Sequence, residues 1–200
     1  MSAPSAPARP FRVAVLQGSV RQGRRSEAIA GWALARLAAD PRFEADLIDP
    51  RALGLSLWHD AMAPEALSAL RARIAAADAF LPVFPEYNRG YPAALKALID
   101  LAGGEWREKP AAFVSYGGRA GGARAAEQLS QVMGELHVAT LRDGVLLADI
   151  GRLFDAEERF APDAPAEAAL SLVLDRLAWW AAPLRAARES AAALPGKDAA

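Results

Sequence analysis

Between Val13 and Ser26 the chain reads Val-Ala-Val-Leu-Gln-Gly-Ser-Val-Arg-Gln-Gly-Arg-Arg-Ser. An apolar strand-like run ends in a glycine, a loop of Ser, Arg and Gly follows, and a helix-forming stretch begins near Ser26. A strand, a small-residue loop and a helix N-terminus make an anion trap, because the helix start presents unpaired N–H groups and a partial positive charge. Gly18 lets the backbone come close to an anion. Ser19 and Ser26 offer hydroxyls, and Arg21, Arg24 and Arg25 bring planar forks that match phosphate oxygens. The loop lacks the Gly-Lys-Ser/Thr ending of nucleotide-triphosphate loops and the G-x-G-x-x-G of dinucleotide sites, so it points to a phosphate monoester. The competing reading is a surface turn with solvated arginines.

Two more stretches have loop chemistry. Pro85-Glu86-Tyr87-Asn88-Arg89-Gly90 offers an aromatic and polar edge. Ser115-Tyr116-Gly117-Gly118-Arg119-Ala120-Gly121-Gly122 carries four glycines in six residues, which permits close backbone approach and positive φ. Nucleophilic and metal chemistry have little to work with. The chain has no cysteine, which excludes disulfides, thiolates and cysteine-held metals. Its two histidines, His59 and His137, sit in no ligand spacing. His59 and Asp60 are adjacent and cannot face each other as a catalytic pair, and His137 is expected to open a strand. Net charge of −1 over 200 residues argues against nucleic acid and anionic membranes.

The elements that must position these loops follow from periodicity. Strands are expected over 11–17, 43–48, 78–84, 111–116 and 137–147, the second nearer a sheet edge. Pro82 is awkward inside the third, since it removes a ladder donor. Helices are expected from Ser26, as N-cap, to about Ala38, over 64–77, from about Pro92 to Leu101, over 123–136 and over 164–192, where Pro183 must kink or break the last. The Trp179-Trp180 pair reads as core or interface, and the apolar loop with Leu53, Leu55, Leu57 and Trp58 packs over the sheet or forms a subunit contact. Alternating strands and helices specify a three-layer α/β fold with right-handed crossovers. In such sheets ligands bind beyond the C-terminal strand ends. In the order 2-1-3-4-5 of a flavodoxin-like five-stranded parallel sheet, the first, third and fourth strands are central neighbours, so all three loops converge on one site.

Taken together the three loops resemble those of the flavodoxin-like NAD(P)H-dependent FMN reductases. The likeness rests on Gly18 to Arg25, on Pro85-Glu86-Tyr87-Asn88 with Pro92, Leu95-Lys96 and Ile99-Asp100, and on Lys109-Pro110 followed by Ser115-Tyr116-Gly117-Gly118, Gly121-Gly122 and Arg124; it covers about residues 11 to 147. Arg119-Ala120 and Arg89-Gly90-Tyr91 depart from the usual pattern. The resemblance implies bound FMN, with Ser19, Arg21 and Ser26, joined by Arg24 or Arg25, on its phosphate. It places Pro85, Glu86, Tyr87 and Asn88 along the ribityl chain and ring edge, and Ser115, Tyr116, Gly117 and Gly118 on the polar side of the ring. It further implies NADPH or NADH as donor, a small-molecule acceptor such as a flavin or quinone, ping-pong turnover with no acid or base residue, and a homodimer or homotetramer. Arg119 and Arg124 would favour a 2′-phosphate on the donor.

One domain over 11–192 is expected, with a disordered lead-in over 1–10 and a flexible tail over 193–200. No run reaches the length of a membrane span and none has the form of a signal peptide, which suits a cytoplasmic protein. A flavodoxin-type electron carrier is the alternative; it predicts a strongly acidic surface, which a net charge of −1 does not supply. A flavin-free binding module on the same fold is the third reading, separated from the others by FMN uptake.

Overall fold

In the computed structural model, residues 9–55 and 62–190 are described. Leu57, Trp58, His59 and Asp60, the lead-in before Arg9 and the tail after Ser190 lie outside them. Among the described residues seven strand segments and five α-helices follow one another: β1 Phe11–Gln17, α1 Ser26–Ala38, β2 Phe43–Ile48, α2 Pro64–Ala76, β3 Ala79–Pro85, α3 Ala93–Asp100, β4 Pro110–Ala111, β5 Val114–Tyr116, α4 Ala123–Glu135, β6 Ala139–Thr140, β7 Val145–Leu147 and α5 Ala164–Glu189. All pairings are parallel. The order is β2-β1-β3, then the β4–β5 line, then the β6–β7 line. This is the expected 2-1-3-4-5 arrangement with its outer two strands each in two pieces.

Both interruptions have a local cause. Phe80 accepts from the Ala112 N–H at 3.2 Å, so Phe80, and Pro82 two residues on, face the fourth strand line. Pro82 has no N–H to give, and the strand lapses between Ala111 and Val114 beside it. On the fifth line Leu141 donates to Ala111 and Val145 to Phe113, so four residues advance there against two on the neighbour. The extra pair bulges out of the ladder.

The sheet separates two cores. Val13 and Val15 of β1 meet α1 and α5 on one face. Ala14 and Leu16 meet α2, α3 and α4 on the other. Central parallel strands buried on both faces explain the continuous apolar runs of β1 and β3, whereas β2, at the edge, leaves Glu44 and Leu47 exposed.

Two expectations need correcting, for Ser26 and His137, and two stated as alternatives, for Pro183 and the tryptophan pair, are narrowed to one. Ser26 does not cap α1: Arg25 holds the cap position, no side chain caps the helix, and Ser26 is the first helical residue, buried. His137 opens no strand. It takes φ 58° just past α4, with His137 N–H on Gly134 and Val138 N–H on Met133, the paired bonds of a Schellman stop. α5 passes Pro183 and continues to Glu189; the carbonyl denied a partner, that of Trp179, belongs to a residue on the exposed side. Trp179 and Trp180, 46% and 39% exposed, are not core; they meet edge-to-face at 5.3 Å on the surface. No described helix is long and apolar enough to cross a membrane.

Candidate functional site

The C-terminal ends of β1, β3 and β5 are adjacent, and their loops meet there. Gly18 N–H donates to the Val83 carbonyl at 2.8 Å. A Cβ on Gly18 would stand 2.5 Å from Phe84 Cβ, so this glycine is needed for close packing of the loop on β3, and its N–H is already used. Ser19 is buried, with its hydroxyl 3.0 Å from that of Tyr87. The Arg21 guanidinium lies 3.8 Å over the Tyr87 ring, a cation–π stack that ties the first loop to the second.

The remaining arginines divide. Arg24 is an anchor, with a side chain only 4% exposed. It donates to Asp49 at 2.8 and 2.6 Å, to Glu27 and to the Ser19 carbonyl. Burial works against its charge, but the hydrogen bonds to Asp49 and Glu27 outweigh this and hold the guanidinium above its ordinary range. Asp49 is likewise held low: burial would raise it, and bonds from Arg24 and from the backbone N–H of Arg51 prevail. Arg25 is half-exposed, stacks on Phe154 at 4.9 Å and reaches Glu158 at 4.0 Å. At the first turn of α1, the buried Ser26 hydroxyl has no hydrogen-bond partner among the described residues.

The second loop is a tight turn. Tyr87 and Gly90 exchange backbone hydrogen bonds, and Asn88 and Arg89 take φ of 50° and 69°, the pattern of a type I′ turn. Asn suits the left-handed region and Arg does not, so the turn holds strain at Arg89. Pro85 ends β3 opposite Tyr116, and Glu86 N–H donates to the Tyr116 carbonyl at 2.9 Å. The Glu86 carboxylate pairs with Arg124 of α4 through Oε1, while its buried Oε2 has no partner among the described residues.

In the third loop the strand alternation splits neighbours. Ser115 turns towards α4 and donates to the Gly121 carbonyl at 2.9 Å, buried. Tyr116 turns the opposite way, into the core shared with α1 and α5. Burial pushes the Tyr116 phenol well above its ordinary value, and the nearby Ser26 hydroxyl is the main influence acting the other way. Gly117 N–H donates to Leu147, and the Gly117 and Gly118 carbonyls accept from Ile150 and Asp149. The first, second and third loops are thus brought together as expected, but the side chains of Arg24 and Ser115 are spent inside the protein.

Sequence reading passed over Asp49 and the 149–161 segment. Asp49 follows β2, and pairing of β2 with β1 sets it beside the first loop; that topology is the signal by which it was findable. A separate cleft of about 620 Å³ lies at the outer sheet edge between α4, the 141–144 bulge and α5. None of the site residues named above lines it.

The parallel sheet, its order and the converging loops define a protein of the flavodoxin-like α/β class. Within that class the profile of the NADPH-dependent FMN reductases matches residues 11–152, and the chain belongs to that family. An NAD(P)H-dependent FMN reductase of Schizosaccharomyces pombe is 37% identical over 134 residues, 62% of this chain and 66% of that protein's length. A 2-hydroxy-1,4-benzoquinone reductase of a Burkholderia species is 35% identical over 138 residues, 66% of this chain and 74% of the other. Among solved structures, the flavoenzyme NAD(P)H:(acceptor) oxidoreductase FerB of Paracoccus denitrificans superposes with a TM-score of 0.65 at 27% identity, covering 86% of this chain and 98% of FerB.

Proposed function

We propose that this protein is an FMN-dependent NAD(P)H oxidoreductase whose acceptors are quinones or flavins. The observation that carries the reading is the Ser26 hydroxyl, buried and unpartnered among the described residues at the N-terminus of α1, which follows the loop carrying Ser19 and Arg21. A buried hydroxyl without a partner is uncommon and calls for one, and a phosphate monoester fits a hydroxyl, a helix N-terminus and a guanidinium. FMN would supply the chemistry by accepting hydride from a nicotinamide and passing it to an acceptor.

The chain's own part is to bind and orient. Arg24 and Asp49 hold the loop in shape, and Ser19, Arg21, Arg25 and Ser26 take the phosphate. The type I′ turn offers the backbone and ring of Tyr87 and Asn88 to the ribityl chain and ring edge, beside Pro85 and Glu86. The backbone at Gly117 and Gly118 lines the polar edge. Arg21 covers the Tyr87 face, so a ligand stacking on that ring displaces Arg21 towards the phosphate. A quinone acceptor is supported by the Burkholderia relative's activity. The half-exposed Trp179–Trp180 pair supports a homodimer or homotetramer; a monomer mass by sedimentation at micromolar concentration would end that part of the proposal.

The deciding experiment is the visible spectrum of the purified protein with FMN, before and after anaerobic NADPH. A bound flavin spectrum that bleaches is expected. Binding without bleaching would favour an electron carrier, and no binding would leave the family likeness without its cofactor here.

A further inference from the structure

Tyr116 stands in the third loop, yet its side chain does not follow that loop. Val114 and Tyr116 point into the core with Ile29 and Ala30 of α1, while Ser115 between them faces the other side. The ring therefore lies on the α1 and α5 side of the sheet. Its hydroxyl neighbours that of Ser26 and feels the charges of Arg24 and Arg25, although the two hydroxyls do not meet in hydrogen-bond geometry. The Ser19–Tyr87 hydroxyl pair, with Arg21 over the Tyr87 ring, belongs to the same loop, and Tyr87 is near enough to act on the Tyr116 phenol. Hydroxyls from three loops thus gather at the N-terminus of one helix, and the one on Ser26 is buried without a partner.

We propose that Tyr116 is a phosphate residue: its hydroxyl, with that of Ser26, donates to the phosphate of the bound flavin, and its ring forms no wall for the isoalloxazine. The inference rests on the FMN reading above. A phenol whose proton is held tightly by burial stays a donor over the whole working range, which is what an anionic oxygen requires. The rigid ring, fixed in the core from β5, sets the depth at which the phosphate stops.

Riboflavin, which has the ring and ribityl chain and lacks the phosphate, separates the two roles. FMN and riboflavin are titrated into apo wild type and Tyr116→Phe by flavin fluorescence, with thermal unfolding as the folding control. The expected result is a loss of FMN affinity of about tenfold or more, the size of a hydrogen bond to a charged group, with riboflavin affinity and unfolding midpoint unchanged. Ser26→Ala is expected to show the same selective loss. Adding Tyr116→Phe to it should then weaken FMN less than the product of the single effects, because both hydroxyls serve the same oxygens. Equal losses for FMN and riboflavin, or no loss for either, would overturn the assignment while leaving the FMN reading of the wild type in place. Fully multiplicative losses would overturn the shared cluster. A wild type that binds neither flavin would overturn the cofactor reading, and this inference with it.

Discussion

Gly122 takes φ 87°, and a Cβ there would meet Ser115 Cβ at 2.7 Å and Tyr116 N at 2.9 Å. Backbone strain and contact act together, since the atoms met are backbone and a buried side chain that cannot swing away. Gly122→Ala is therefore expected to lower stability by about 3 kcal/mol. Gly118, four residues earlier, is exposed and has open space around its Cβ position; Gly118→Ala should change stability by less than about 0.5 kcal/mol. Urea unfolding of the two variants side by side measures the contrast, and equal midpoints would mean the loop relaxes around Gly122. The four glycines look alike in the sequence. Which of them is indispensable depends on Ser115 being folded back against the loop, a contact that no local pattern announces.

At the scale of elements, Lys109 shows how a single side chain ends a helix from outside. It is buried, and its Nζ donates to Ile74 and Ala75 at the end of α2 and to Glu105, at 2.7, 2.9 and 2.7 Å. A cation near a helix C-terminus is favourable, but burial, reinforced by the charge of Arg188, lowers this ammonium to about 8. In the unfolded chain it titrates near 10.4. Between those values the unfolded chain keeps a proton that the folded protein has released, so stability rises with pH through that window. The stability of wild type relative to Lys109→Met should grow by up to about 3 kcal/mol between about pH 7.5 and pH 10.5. Urea titrations of both proteins at each pH test this, and a difference that stays level would show that Lys109 titrates normally.

At the scale of the molecule, the two ends of the sheet do different work. Asp78, buried just before β3, receives the Arg12 N–H at 3.1 Å and pairs with Arg9 at 3.1 Å, Arg185 at 3.4 Å and Arg188 at 3.2 Å. It binds the start of β1 and the end of α5 to the centre of the sheet. The three converging loops lie at the other end of β3, about 20 Å away at 3.3 Å per residue. Asp78→Asn leaves three guanidiniums around a neutral group and should cost about 3 kcal/mol of stability. FMN affinity measured well below the unfolding midpoint should not change. A parallel fall in affinity would mean that the ends of the sheet communicate.

The sequence by itself determined the sheet class, the strand order, the chemistry of the three loops and the family likeness. The sheet class and loop chemistry follow from local patterns, namely apolar runs of strand length, helix periods, and glycine, serine and arginine at strand ends, while the strand order is that of the flavodoxin-like fold the chain resembles. The bounds of β1, β2 and α1 were legible because each is closed by a residue with one strong preference, such as Gly18 or Pro41. Only the tertiary structure decided which side chains of the three loops are drawn into the protein and which are left at its surface. Arg24 and Arg25 are adjacent and identical in type, yet Asp49 from another strand draws Arg24 inward. Ser115 and Tyr116 are neighbours, and the alternation of β5 sends them to opposite faces. Pro82 broke the strand beside its own, and Pro183 failed to break its helix. In each case the deciding partner is far away in sequence, and chain composition carries no record of it until packing brings the two together.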